Sequence, residues 1–349
     1  MISHLFLSKK IKDQFPFVCN MREVKLMEMS QHVNLLLTDA VNKRASDIYF
    51  LPDNDGYLVK IRNQHQVTTW KRLSYLQARR MMNYCKYIAD MALSEQRRPQ
   101  IGSMDWSRGD ERYFLRLSSV GNFNGLESLV IRIIYHLDDV QTAFFNEGQI
   151  QFISEMSRKR GLIVFSGLTG SGKTTTIYNL VKQLVTDQFV MTIEDPIEIK
   201  EPRFLQLQVN HDAGMDYTDL IKVGLRHRPD VFIVGEIRDS MTASAAIKAA
   251  LSGHLVYTTV HAQDPLGVIE RLKQLGISDA FISQALTGIA YQRLIPTVDG
   301  GQRAMLMAHE LFELENLKSY DWSEWQDGLS TAVENKLVTP ETAKRFELG

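Results

Sequence analysis

The chain has 349 residues, 44% hydrophobic and 23% charged, an ordinary globular balance at a length that suits about two domains. Its 40 basic and 41 acidic residues leave a net charge of -1. That argues against a general nucleic-acid coat, because phosphate neutralisation needs a basic surplus, and leaves only a local basic patch open.

The first residues, Met1-Ile-Ser-His-Leu-Phe-Leu-Ser-Lys-Lys10, hold too short an apolar stretch for a signal peptide, and their charge follows that stretch. No apolar run approaches the ~18 residues of a bilayer span. Two cysteines, Cys19 and Cys85, lie far apart without C-x-x-C spacing, so no disulfide framework and no zinc site is implied. A cytoplasmic protein is expected, with residues 1–26 as an N-terminal extension.

From there, Val33, Leu36, Leu37, Ala40 and Val41 predict a helix over 27–42. Strand-like runs follow at 48–51, 57–62 and 67–70. A second helix is expected over about 74–91, with Ser74 as its cap. Three more strands are expected near 104–106, 112–118 and 128–134, with the hairpin-like Gly121-Asn-Phe-Asn-Gly125 between the last two. Residues 27–137 thus read as a small α+β unit without the strand–helix alternation of a parallel sheet. A linker is expected at 138–148. Residues 149–308 alternate apolar strands, at 162–165, 190–193, 231–234 and 255–260, with helices, which predicts a parallel α/β sheet. Residues 309–349 predict a C-terminal helical region.

The sharpest feature is Gly167-Leu-Thr-Gly-Ser-Gly-Lys-Thr174, a match to G-x-x-x-x-G-K-[ST]. The stretch 162–165 predicts a strand before it, and Ile177, Leu180, Val181 and Leu184 predict a helix after it. Strand, glycine loop and helix form a phosphate cradle: backbone N–H groups curl around phosphate oxygens and the helix N-terminus adds its positive end. Gly167, Leu168, Thr169, Gly170, Ser171, Gly172, Lys173, Thr174 and Thr175 are the expected ATP-binding residues. Lys173 would reach the outer phosphates, and the Thr174 hydroxyl would hold Mg²⁺.

Three further groups follow apolar strands, on the sheet edge where ligands bind. Thr192-Ile-Glu-Asp-Pro-Ile-Glu198 brings Glu194 and Asp195, which read equally as a helix or turn cap. Val231-Phe-Ile-Val-Gly-Glu236 ends an apolar strand in an acid. His261 closes the run 255–260; alone, such a histidine is as readily structural. ATP hydrolysis needs Mg²⁺, a water-orienting carboxylate and positive charge on the γ-phosphate. The charge is expected from Arg116 and Arg132, which on their own read as surface ion-pair residues.

These residues resemble the secretion and type IV pilus ATPases of the GspE/PilB/PilT superfamily. The resemblance rests on the glycine loop as Walker A, Ile193-Glu-Asp-Pro-Ile-Glu198 as the Asp box, 225–239 as Walker B and 252–262 as the His box. It extends to Arg44-Ala-Ser-Asp-Ile48, Arg98-Pro-Gln100 with Gly102, Leu115-Arg-Leu-Ser118, Val130-Ile-Arg-Ile133 and Gln292-Arg-Leu294. It implies a RecA-like nucleotide domain preceded by a PAS-like one, with ATP and Mg²⁺ as cofactors. Glu236 would be the catalytic carboxylate, assisted by Glu194. His261 would sense the γ-phosphate side, Arg116 and Arg132 would supply charge, and Asp195 would join Thr174 at Mg²⁺. It further implies a homo-hexamer, peripheral on the inner face of the cell membrane, docked on an inner-membrane platform protein and not itself touching nucleic acid.

Members with a late four-cysteine zinc element differ from this chain, which has no cysteine after Arg293. The compact form is similar to the competence pilus ATPases of Gram-positive bacteria, which implies assembly of a pilus for DNA uptake. A pilus retraction ATPase, a type II secretion ATPase and, from a different class, a nucleic-acid translocase are the alternatives.

Overall fold

In a computed structural model the described residues are 19–63, 66–137, 142–184, 187–314 and 317–349. The chain divides between Tyr135 and His136 into two compact units, and each has its own apolar core.

The first unit begins with helix α1 (Cys19–Asn42), followed by β1 (Asp47–Asp53), β2 (Gly56–Arg62), β3 (Val67–Leu73) and α2 (Tyr75–Ile88). Strands β4 (Gln100–Arg108), β5 (Glu111–Gly121) and β6 (Glu127–Ile134) complete it. The strands form one antiparallel sheet in the order β3-β2-β1-β6-β5-β4. Alternation makes the core: on β5, Tyr113, Leu115 and Leu117 are buried and pack with Leu36, Leu37, Met81 and Cys85 of the helices. Ser74 caps α2 through a full capping box with Gln77. Asn122 closes the β5–β6 hairpin, its Oδ1 accepting from the amides of Asn124 and Leu126.

The first helix corrects the expected start at residue 27. It opens at Cys19, because 19–26 hold Met, Arg, Glu, Lys and Leu with no glycine or proline to stop propagation. The rest of the expected extension, 1–18, lies outside the described residues, as do 138–141 of the expected linker.

The second unit carries α3 (Gly148–Arg158), β7 (Gly161–Ser166), α4 (Lys173–Leu184), β8 (Val190–Glu194) and β9 (Leu205–Gln208). Next come α5 (Tyr217–His227), β10 (Val231–Val234), α6 (Ser240–Leu251), β11 (Leu255–Val260), α7 (Pro265–Gln274) and α8 (Asp279–Ala285). Its sheet runs β13-β12-β7-β11-β10-β8-β9, where β12 is Leu286–Pro296 and β13 is Gln302–Glu310. All neighbours are parallel except β12 and β13. Strands β8, β10 and β11 are buried along their whole length, which is why they read as unbroken apolar runs. One core lies on each face of this sheet.

All four expected strands are present. Strands β9, β12 and β13 were not foreseen. Gln302–Glu310 contains Ala, Met and Leu, residues that favour helix, yet pairing with β12 makes it a strand. Beyond it the chain is helical as expected, in Leu311–Leu314, Ser323–Glu334 and Pro340–Arg345. Trp325 anchors this region in a cluster with Tyr291, Ile295 and Met305 of the sheet. No described helix is long and apolar enough to cross a membrane.

Candidate nucleotide site

Strand β7 is buried to its last residue, Ser166, and the chain then leaves the core as the loop 167–172 before α4 begins at Lys173. Gly167, Gly170 and Gly172 adopt φ of 132°, 78° and 83°, values that favour glycine. Leu168, Thr169 and Gly170 form an exposed tip, while Ser171 and Lys173 are buried and Thr174 and Thr175 are half-buried. Strand–loop–helix with the helix N-terminus facing the loop fits a nucleotide phosphate. The Lys173 ammonium is folded back onto the loop, with Nζ donating to the carbonyls of Gly167 (3.0 Å) and Leu168 (2.9 Å). Burial lowers the pKa of this lysine, opposed by the negative charges of Glu198 and Glu236. Thr174 Oγ1 donates to Glu198 Oε2 at 3.4 Å.

The acids stand at carboxyl ends of neighbouring parallel strands. Glu194 is the last residue of β8, Asp195 follows it, and Glu236 lies two residues beyond β10. Backbone pairing continues past β10, with the Gly235 amide donating to Ile193 O at 2.8 Å, so Glu236 is carried beside the β8 end. Arg238 pairs with Glu236 Oε1 and lies 3.7 Å from Asp195 Oδ2. The Glu236 carboxylate raises the Arg238 pKa further. His261, one residue past β11, joins the two halves of the site. Its Nδ1 is 3.2 Å from Gly167 O and its Nε2 is 3.5 Å from Glu236 Oε2. A carbonyl only accepts, so Nδ1 is the nitrogen that carries the proton in that contact.

The two adjacent acids differ sharply. Asp195 is partly exposed, whereas Glu194 is 2% exposed. Glu194 Oε1 accepts from the Tyr178 hydroxyl and from Thr192 Oγ1 at 2.7 Å. Burial pushes its pKa up to about 7, because a charged carboxylate is disfavoured where water is excluded. Gln206 Nε2 donates to the Tyr178 oxygen at 3.0 Å, so β8, β9 and α4 share one polar chain.

Arg116 and Arg132 belong to the first unit. They are register partners on β5 and β6, on the face opposite the buried Leu115, Leu117, Ile131 and Ile133. Arg132 Nε donates to Asp47 Oδ1 at 2.9 Å. Like charges directly across a sheet repel, and the Asp47 carboxylate offsets part of that repulsion.

Three residues quoted only as parts of motifs acquire partners here. Glu198 meets Thr174, Arg238 meets Glu236, and Gln292 of β12 donates from Nε2 to Ser171 O at 2.7 Å. Glu198 stands four residues after Glu194, and Arg238 two after Glu236, but spacing alone names no partner.

The type II/IV secretion system protein family matches residues 23–331. Competence protein ComGA of Streptococcus pneumoniae is 42% identical over 270 residues, which cover 77% of this chain and 85% of that protein. Among solved structures, the ATPase DotB of Legionella pneumophila superposes with a TM-score of 0.71 at 20% identity, over 90% of this chain and 95% of that one. The pilus retraction motor PilT, solved with bound ADP, superposes with a TM-score of 0.66 at 25% identity, over 88% and 94%. The chain therefore belongs to the type II/IV secretion system protein family, and its mixed α/β fold with a parallel sheet is the fold of these ATPases.

Proposed function

We propose that this member of the type II/IV secretion system protein family is an ATPase motor that drives assembly of a competence, type IV-like pilus. The observation that carries the reading is the bridge made by His261 between the glycine loop and Glu236. It brings the loop proposed to cradle phosphate and the acid proposed to orient water into one cluster. The 42% identity to a competence protein supports the competence assignment, and the bound ADP of PilT supports the nucleotide.

Mg²⁺-bound ATP would supply the cleavable phosphoryl bond and neutralise the charge that develops on it. Lys173 would exchange two loop carbonyls for phosphate oxygens. Thr174 and Asp195 would hold Mg²⁺, with the Thr174 hydroxyl turning from Glu198. Glu236 would orient the attacking water, with His261 Nε2 beside its carboxylate and Glu194 shaping the strand end behind it. Arg116 and Arg132 are proposed as the source of transition-state charge.

We further assign a homo-hexamer, peripheral on the inner face of the cell membrane and docked on an inner-membrane platform protein. DNA uptake is then an indirect consequence of the pilus, in keeping with the net charge of -1. Deletion in the source bacterium, with surface pili and transformation scored separately, tests the direction of the motor. Loss of both supports assembly. Excess pili with lost transformation would assign retraction instead. DNA-stimulated turnover of the purified protein would favour a translocase.

A further inference from the structure

Strand β12 runs beside β7, with Tyr291 opposite Ser166, the residue that opens into the glycine loop. The next residue, Gln292, is fully buried and touches both ends of that loop. At the near end, a Cβ on Gly167 would lie 2.2 Å from the Gln292 carbonyl oxygen, so only glycine allows the loop to leave the sheet there. At the far end, a Cβ on Gly172 would lie 3.0 Å from Gln292 Nε2, and that nitrogen donates to Ser171 O at 2.7 Å.

The hydrogen bond has a directional consequence. A trans peptide is planar, with its C=O and N–H pointing opposite ways. The Ser171 carbonyl points down at Gln292. The N–H of the same peptide unit, that of Gly172, therefore points away from the Gln292 side chain, an orientation that would turn it toward a phosphate oxygen held by the loop. The strand that carries this side chain is well anchored. On either side of Gln292 along β12, Tyr291 packs edge-on against Trp322 and Trp325, with ring centroids 5.5 and 5.7 Å away, and the Arg293 guanidinium stacks over Phe346 at 5.1 Å.

We propose that Gln292 is a positioning residue for nucleotide binding, the lock that aims the Gly172 amide into the phosphate cradle. This rests on the reading of the loop as a nucleotide site. Gln292 Oε1 has no hydrogen-bond partner among the described residues. An apolar side chain of similar size removes this orphan acceptor but leaves the Ser171 carbonyl without its donor, so one unpaired buried oxygen replaces another and the expected change in fold stability is small.

The test is Gln292→Leu in the full chain, read by direct titration of fluorescent ADP and of a slowly hydrolysed ATP analogue. Loss of one aimed amide to a charged phosphate predicts about tenfold weaker binding of both ligands. KM for ATP should rise by a similar factor with kcat within about twofold, as for lost uniform binding. The thermal midpoint without nucleotide should stay near that of the unmodified chain. Binding within about twofold of the unmodified chain would overturn the proposal, as would a fallen nucleotide-free midpoint with unchanged affinity. Should Gln292→Leu fail to fold, Gln292→Met gives the same reading. Failure of both would overturn it too, since the side chain would then hold the fold rather than the loop. An unmodified chain that binds neither ligand would instead defeat the nucleotide site itself.

Discussion

Lys173 and His261 converge on one atom, the carbonyl oxygen of Gly167. The lysine reaches it from the start of α4 at 3.0 Å and the histidine from the end of β11 at 3.2 Å. A single backbone oxygen therefore links Lys173, the cation proposed to bind phosphate, to the residue that also lies beside Glu236. On the proposed function, a Lys173 turned to a phosphate would leave His261 as the holder of that carbonyl.

Lys173→Ala should remove nucleotide binding without harming the fold. The ammonium is buried at an energetic cost, visible in its lowered pKa, so its loss should leave the nucleotide-free thermal midpoint unchanged or slightly raised. Charge-assisted bonds to phosphate contribute roughly 3 kcal/mol, which weakens ADP binding by on the order of a hundredfold. Titration calorimetry reads this, and an unchanged dissociation constant would contradict it.

Glu194 makes stability depend on pH. Its folded pKa, about 7, lies above its ordinary value, so the fold favours the protonated acid. That contribution is complete below the ordinary carboxyl pKa and is lost as pH rises through 7. Relative to Glu194→Gln, the unmodified chain should lose stability between pH 5 and pH 8, by on the order of 3 kcal/mol. Urea melts of both proteins across that range check it, and parallel curves would refute it.

Arg116→Ala should slow ATP turnover by at least about tenfold while changing ATP affinity little, because finger charge acts mainly in the transition state. A thermal melt of the nucleotide-free variant beside the unmodified chain separates loss of this charge from damage to the fold. Equal loss of affinity and turnover would assign the arginine to binding alone.

In the first unit, Lys86 is fully buried, with Nζ 2.5 Å from Glu127 Oε1 and donating to Glu95 O at 2.7 Å. Lys86→Met leaves the Glu127 charge buried and unpaired, which should cost about 3–5 kcal/mol. Thermal unfolding measures this. A midpoint unmoved by the substitution would show that the pair contributes nothing to the fold.

The legible parts of the fold are those with one dominant local signal. The Val231–Val234 strand is apolar at every position because both its faces are covered. Ser74 announces α2 because Gln77 completes its capping box. The glycine loop stands between a strand and a helix, as its flanking apolar residues predict. What stayed hidden was set by distant partners. Gln302–Glu310 looks helical and becomes a strand only through β12. Glu194 and Asp195 are sequence neighbours, yet Tyr178 and Thr192 bury one while the other faces Arg238. Gln292 could be seen as part of a motif, but its place beneath Ser171 depends on β12 lying beside β7, which no local pattern encodes.

The most direct test is steady-state phosphate release by the purified chain with ATP and Mg²⁺, beside Glu236→Gln. The account predicts turnover by the unmodified chain and a loss of at least about a hundredfold in the variant, with ATP still bound. Full turnover by Glu236→Gln, or none by the unmodified chain under conditions where it binds ATP, would contradict the assignment of this site as a hydrolytic motor.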